Sequence, residues 1–354
     1  MRDEAQLKAQ IRADLPAAAF RSDPSRLWLL APLLTLIVAG SSVILWVPLP
    51  LPVVLATSCA IGVVYASLFF FGHEIAHGAV IRSRRIQTGL MYVTFLICCT
   101  SPHFFRFWHN HAHHRHTNVA GWDPDMFGTL EQFEHHRLSR VIDRFAPGSG
   151  HWLSIVYLFT FFTVQSQGVL WLNSQTPVFD RMNRRRAKAE TLAMASGWIG
   201  VCVTGGPWAT VFLVLIPMLM ANFILMSYIV TNHMVRPLVA VTTGRTVHTT
   251  MSVTTWRMLD LIFFKFSHHV EHHLFPAMSS RYFPAVRRSL LRHAKESYLA
   301  PPHLTALRAV FQTPRIYEDP ETLIDPQRHR RVSVLQIEAW LRGERCTSLM
   351  RQRP

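Results

Sequence analysis

The sequence predicts an all-α integral membrane protein, built from two transmembrane helical hairpins (four spans) with a cytosolic helical cap over a histidine-rich site. Three observations carry that expectation. Two tracts, from Arg26 to His73 and from Glu190 to Arg236, contain no Lys, Arg, Asp or Glu between their end residues. Each is about twice the length of the roughly 20 apolar residues that cross a bilayer, and each has a Pro- or Gly-rich break near its middle. The chain also carries 20 histidines, and they cluster where these tracts give way to charged sequence.

Met1 to Arg26 is charged and lacks a short apolar core ahead of a small-residue cleavage site, so 1–26 is expected to stay as a cytosolic N-terminal segment. The membrane domain is read over 27–278. Leu27 to Trp46 makes the first crossing, Val47-Pro-Leu-Pro-Leu-Pro52 turns, and Val53 to Gly72 returns. The second hairpin runs from Thr191 to Val203, turns at Thr204-Gly-Gly-Pro207, and returns from Trp208 to Val230, with a kink expected at Pro217. Gly89 to Thr100 and Trp152 to Leu172 are read as interfacial or re-entrant. A single crossing by the second would put the arginines at 181, 184, 185 and 186 on the far side, against the positive-inside rule. That rule places both termini, and the site, in the cytosol. Residues 279–354 form the basic cytosolic cap and tail.

The net charge of +15 is assigned to the cytosolic face and to anionic lipid rather than to nucleic acid, because the uncharged tracts already place the chain in a bilayer. Five cysteines (Cys59, Cys98, Cys99, Cys202 and Cys346) include no C-x-x-C pair, which argues against a disulfide framework and a thiolate metal site.

The histidines carry the chemistry. His73 and His77 follow the second span at i, i+4, the spacing that puts two imidazoles on one helical face. In Trp108-His-Asn-His-Ala-His-His114, the same α-helical spacing pairs His109 with His113 and leaves His114 turned toward a second metal. His269, His272 and His273 stand at i, i+3 and i+4, and His233 closes the fourth span. Imidazole suits zinc, copper, iron and nickel. A structural zinc needs only four ligands, so nine candidates point to two metals, and two irons with open positions suit O2 activation. His73-Glu-Ile-Ala-His77 also fits the H-E-x-x-H pattern of zinc proteases, a reading that leaves the other clusters idle. A membrane metal carrier would show looser, repetitive histidine tracts.

Together the three boxes resemble those of the membrane fatty acid desaturase and hydroxylase superfamily: His73 and His77; His109, His113 and His114; and His269, His272 and His273 within His-Val-Glu-His-His-Leu-Phe-Pro276. Asn232-His233 fits the extra ligand found before the third box. The resemblance covers about Leu27 to Pro302. It implies a diiron site on these nine histidines, O2 as co-substrate, and attack on an unactivated C–H bond of a fatty acyl or other lipid chain. Desaturation is the leading reaction; hydroxylation, decarboxylation to a terminal alkene and carotenoid oxidation share the same boxes. No heme domain is fused at either end, so a separate electron donor, a ferredoxin or cytochrome b5-like protein with its reductase, is expected to dock on the arginines that follow Ser279, Arg287 and Arg288 among them. Glu74, Asp123 and Glu271 are candidates to orient metal-bound imidazoles, since such rings commonly donate their other N–H to a carboxylate. His111, His116 and His268 are surplus to the pattern, and Arg106 and Arg115 are candidates for the lipid headgroup.

Overall fold

A computed structural model describes residues 4–173, 177–240 and 246–344. Cys346 lies outside the described residues, as do the ends of the first and last segments. After the N-terminal helix α1 (Glu4–Asp14), α2 (Leu30–Trp46) stops where Val47 turns extended, as a residue before proline must. Helix α3 (Leu51–Ala76) restarts with Pro52 in its first turn, where a missing N–H costs nothing. Most side chains of α2 are exposed and only Ile44 is buried, which is what a lipid-facing helix shows. Helix α3 changes character along its length: every residue from Tyr65 to Ala76 is buried.

Among the described residues, four helices are long and apolar enough to cross a membrane: Pro24–Trp46, Leu51–Ala76, Ser154–Leu172 and Arg184–His233. The last contains both spans expected of the second tract. Within α9 (Arg184–Ala209), Gly206 takes φ 66° and ψ −167°, a conformation suited to glycine. The Tyr65 ring lies 6.1 Å from the Trp198 ring, and its hydroxyl reaches the Leu213 carbonyl. A continuous straight helix would hold residues 198 and 213 about 22 Å apart, so the helix axis bends at the break. Helix α10 (Ile216–His233) then packs on α3 closely enough that a Cβ on Gly62 would stand 2.6 Å from the Met220 side chain.

Helix α4 (Arg84–Phe95) and the short helix that follows it bend by 98° against Pro102–His113, which begins with α5 (Pro102–Phe105). Helices α6 (Leu130–His135) and α7 (Arg137–Phe145) lead to α8 (Ser154–Gly168), which lies against α10 through paired hydrogen bonds between Thr163 and Asn222. Both ends of the α8 segment meet charged sequence: Trp171 packs under Lys188, and the Ser149 carbonyl accepts from Arg328.

The remaining helices, α11 (Thr246–Thr249), α12 (Arg257–Ile262), α13 (His269–Leu274), α14 (Phe283–His293) and α15 (His303–Gln312), cover the end of the bundle where α3 and α10 finish. The all-α expectation needs a correction here. Three antiparallel strands, β1 (Ile316–Asp319), β2 (Thr322–Asp325) and β3 (Arg330–Ser333), precede α16 (Val334–Leu341). Each strand is only four residues long and carries charged residues, which hides the alternation, yet Tyr317, Leu323 and Val332 bury one face together.

Two ties fix this end. Buried Arg236 donates to Glu338 Oε2 at 3.0 Å and to the His248 carbonyl, while the Tyr317 hydroxyl donates to the Arg236 carbonyl. Helix α1 packs Leu7 and Ile11 into the same small core as Val270 and Leu274 of α13 and Val286 and Leu290 of α14.

Candidate metal centre

The end of α3 brings His73 and His77 into the covered interior, one turn apart. Residues Arg106–His113 form a π-helix, in which the backbone bonds skip to the fifth residue, and the His114 N–H accordingly donates to the His109 carbonyl at 2.9 Å. This corrects the expected pairing. An α-helix would put His109 beside His113; the wider turn brings His109 Nε2 to 3.1 Å from His114 Nε2, while His113, its ring still stacked on His109, offers its ligand atom to the other group. Helix α13 divides in the same way, with His272 on one side and His269 and His273 on the other.

Two groups result. His73, His77, His109, His114 and His272 form one, and His113, His233, His269 and His273 the other; within each, the candidate ligand atoms all lie within 4.8 Å of one another. All nine histidines expected from the sequence stand in one group or the other. His111 stacks on Phe107, His116 lies over Trp122, and His268 sits against Glu271, so the surplus three join neither group. His109 Nε2 stands 2.8 Å from His73 Nε2, and His272 Nε2 stands 3.0 Å from His114 Nε2. In the other group, His269 Nε2 is 2.7 Å from His233 Nε2 and 3.0 Å from His273 Nε2.

These nitrogens fit a shared cation. A ring nitrogen has one in-plane site, a hydrogen or a lone pair, so it cannot serve two neighbouring rings by hydrogen bonding alone. Imidazoles bound at about 2.1 Å and at right angles around one ion stand about 3.0 Å apart, as these do. Burial, reinforced by neighbouring imidazoles, holds His114, His269, His272 and His273 well below the usual histidine range and His77 down at about 3. They are therefore neutral, with lone pairs free to bind. His77 Nε2 is buried without a hydrogen-bond partner.

The three expected carboxylates part company. Asp123 Oδ1 lies 2.9 Å from His113 Nδ1, and Asp123 also accepts the backbone N–H groups of Asn118 and Asp125. Glu74 and Glu271 face away from the imidazole groups. Glu74 accepts from Arg26 Nη2 at 2.7 Å and from the Ser280 N–H at 2.6 Å, fastening the N-terminal segment to the cover. Glu271 accepts from Arg287 Nε at 2.9 Å, Tyr298 Oη at 2.7 Å, His268 and Ser252. Burial acts to raise its carboxyl, and Arg287 and His268 overcome that and hold it well below the carboxylate range. Arg287 is thereby committed inward, which removes it from the expected docking surface; Arg288 remains exposed.

Asp125 shares with Asp123 the Asp-Pro-Asp sequence that follows the second box and is a candidate with it to orient metal-bound imidazoles. It accepts from Trp108 Nε1 at 3.0 Å, and one of its oxygens lies within 4.8 Å of the ligand atoms of His109 and His113. Burial pushes its carboxyl up to about 6. Arg115 is exposed, while Arg106 keeps Nε and Nη2 buried without hydrogen-bond partners.

A family model described as fatty acid desaturase matches residues 44–305, which include all nine grouped histidines. No curated protein matches the chain.

Proposed function

From the premise that the chain belongs to the fatty acid desaturase family, we propose that it is an O2-dependent diiron oxidoreductase acting on an unactivated C–H bond of a fatty acyl or lipid chain, with desaturation as its reaction. The carrying observation is the sorting of nine histidines into two adjoining groups, each with its candidate ligand nitrogens within 4.8 Å of one another. These groups would hold two irons, which when bound would supply the O2 chemistry needed at the C–H bond.

The chain's own residues do the holding and the positioning. Asp123 accepts the Nδ1–H of His113, which fixes the tautomer and leaves Nε2 for the metal. Phe105 stacks on His109, and Phe266 packs on both His73 and His269, keeping bulk water from the ring nitrogens. Glu271 and Arg287 lock α13 to α14, so the third box is held without a carboxylate of its own against its rings. Electrons come from a separate donor protein at the basic cover.

The proposed topology has two hairpins, with both termini, the cover and the metal centre on the cytosolic side. Contact of both ends of the α8 segment with charged sequence supports reading it as interfacial or re-entrant. Tags at Pro50 and Gly205 are then reached only from the far side; finding Arg184 there would sink this topology.

Expression in a lipid-producing host, followed by mass spectrometry of lipids and volatile hydrocarbons, tests the reaction. The expected product is an acyl chain lacking two hydrogens, formed by the wild type and absent with His273→Ala. Iron-loaded protein that leaves all acyl chains unchanged would overturn the reading.

A further inference from the structure

Beside the metal centre, two cavities meet at one arginine. The larger, about 760 Å³, is an apolar groove between α8 and the segment 121–142, walled by Phe127, Phe133, Ile142, Phe161 and Val169. Its inner end is Asp123, the carboxylate behind His113, and Met234, the neighbour of His233. Its rim carries Leu138, Val164 and Leu172, which are all exposed, so the groove opens where α7 and α8 present apolar side chains outward. The smaller cavity, about 490 Å³, is polar, and Arg144, His151 and Arg328 stand around it.

Asp143 and Arg315 line both cavities. Arg315 is only 7% exposed, and its guanidinium lies over the rings of Phe127 and Tyr157. Its Nε stands 3.1 Å from Asp143 Oδ1, yet neither Nε nor Nη1 has a partner in hydrogen-bond geometry. Asp143 offsets the charge, but two N–H groups of this buried guanidinium remain undirected, which is costly until a further acceptor completes them. Arg315 also lies beyond the matched residues 44–305, so this feature is not carried by the family match.

We propose that the groove holds the acyl chain of a lipid with an anionic head, carboxylate or phosphate, and that Arg315 binds that head at the junction of the two cavities. The inference deepens the reading of the chain as an acyl-lipid oxidoreductase and rests on it. Asp123 and Met234 close the inner end of the groove, so a chain held there ends against the side chains that back His113 and adjoin His233, and Arg315 sets which head the groove accepts. A chain lying in the groove meets apolar walls along its length, while the head meets the one buried cation that both cavities share.

The test is capture of a photoreactive hexadecanoate by the iron-loaded protein in nanodiscs, with unlabelled hexadecanoate, hexadecyl phosphate and methyl hexadecanoate as competitors. Cross-links are expected on α8, with at least one of the two anions competing about tenfold better than the ester; which anion does so identifies the head. Arg315→Gln should abolish that preference and leave ester competition unchanged, and Arg315→Lys should restore it. Gly168 lines the groove, and a Cβ there meets no atom within 4 Å, so the side chain of Gly168→Phe starts from open space and should block capture of acid and ester alike. Equal competition by ester and anions, or an anion preference that survives Arg315→Gln, overturns the proposal. If Arg315→Gln loses its iron and so its fold, Gly168→Phe decides, and unchanged capture rejects the groove. Because capture is read without turnover, its failure beside normal product in the lipid assay rejects only the groove. Capture without any product rejects the reaction.

Discussion

The two imidazole groups differ in number and in what stands behind them. The group of five draws on all three boxes and has no hydrogen-bonded carboxylate against its rings among the described residues, whereas the group of four includes His113 backed by Asp123. A carboxylate behind a ligating imidazole makes the ring more basic and fixes its direction; a fifth imidazole gives redundancy instead. Metals at the two positions would therefore be held by different means, one by excess ligands and the other by a supported minimum.

Removing one ligand from each group breaks or sharpens that contrast most strongly. His273→Ala leaves three imidazoles in its group, and about half of the bound iron should be lost together with all turnover. His272→Ala leaves four, and iron measured by elemental analysis should fall less. Equal losses from the two variants would show that the groups do not hold metal independently.

Asp123→Asn keeps the shape but supplies a weaker acceptor. Iron retention against a chelator should weaken roughly 10- to 100-fold in the group of four, while the group of five keeps its metal. Uniform loss from both positions would assign Asp123 a general folding role.

Glu271→Gln acts on stability, since its carboxylate serves Arg287, Tyr298 and Ser252 rather than a grouped imidazole. Leaving Arg287 without its buried partner should cost about 3–5 kcal/mol in a thermal or denaturant melt, with iron per folded chain unchanged. A folded variant short of iron would place Glu271 behind a metal ligand after all.

The smallest effect concerns the electron donor. Arg281, Arg287, Arg292 and Arg315 are paired with acidic residues, while Arg288, Lys295 and Arg308 are exposed. Charge reversal at Arg288 and Arg308 should slow turnover driven by a protein donor, more at low salt than at high, and leave turnover with a small chemical reductant intact. Equal slowing with both reductants would reject docking on this face.

Much of this molecule can be read locally. Two uncharged tracts and their Pro and Gly breaks announce long apolar helices, because a bilayer penalises each charge and each unbonded backbone group wherever it stands. The nine histidines are equally legible, since ligand chemistry belongs to the residue and helical spacing to the chain. What sequence by itself could not determine is how the ligands sort: His109 joins His114 because Arg106–His113 is wound as a π-helix, whereas the same residues wound as an α-helix would pair His109 with His113. The carboxylates follow the same division. Asp123, Glu74 and Glu271 are alike on paper, and only the tertiary structure turned the first toward an imidazole and the other two toward Arg26 and Arg287, because a carboxylate's partner is set by which distant segment returns beside it.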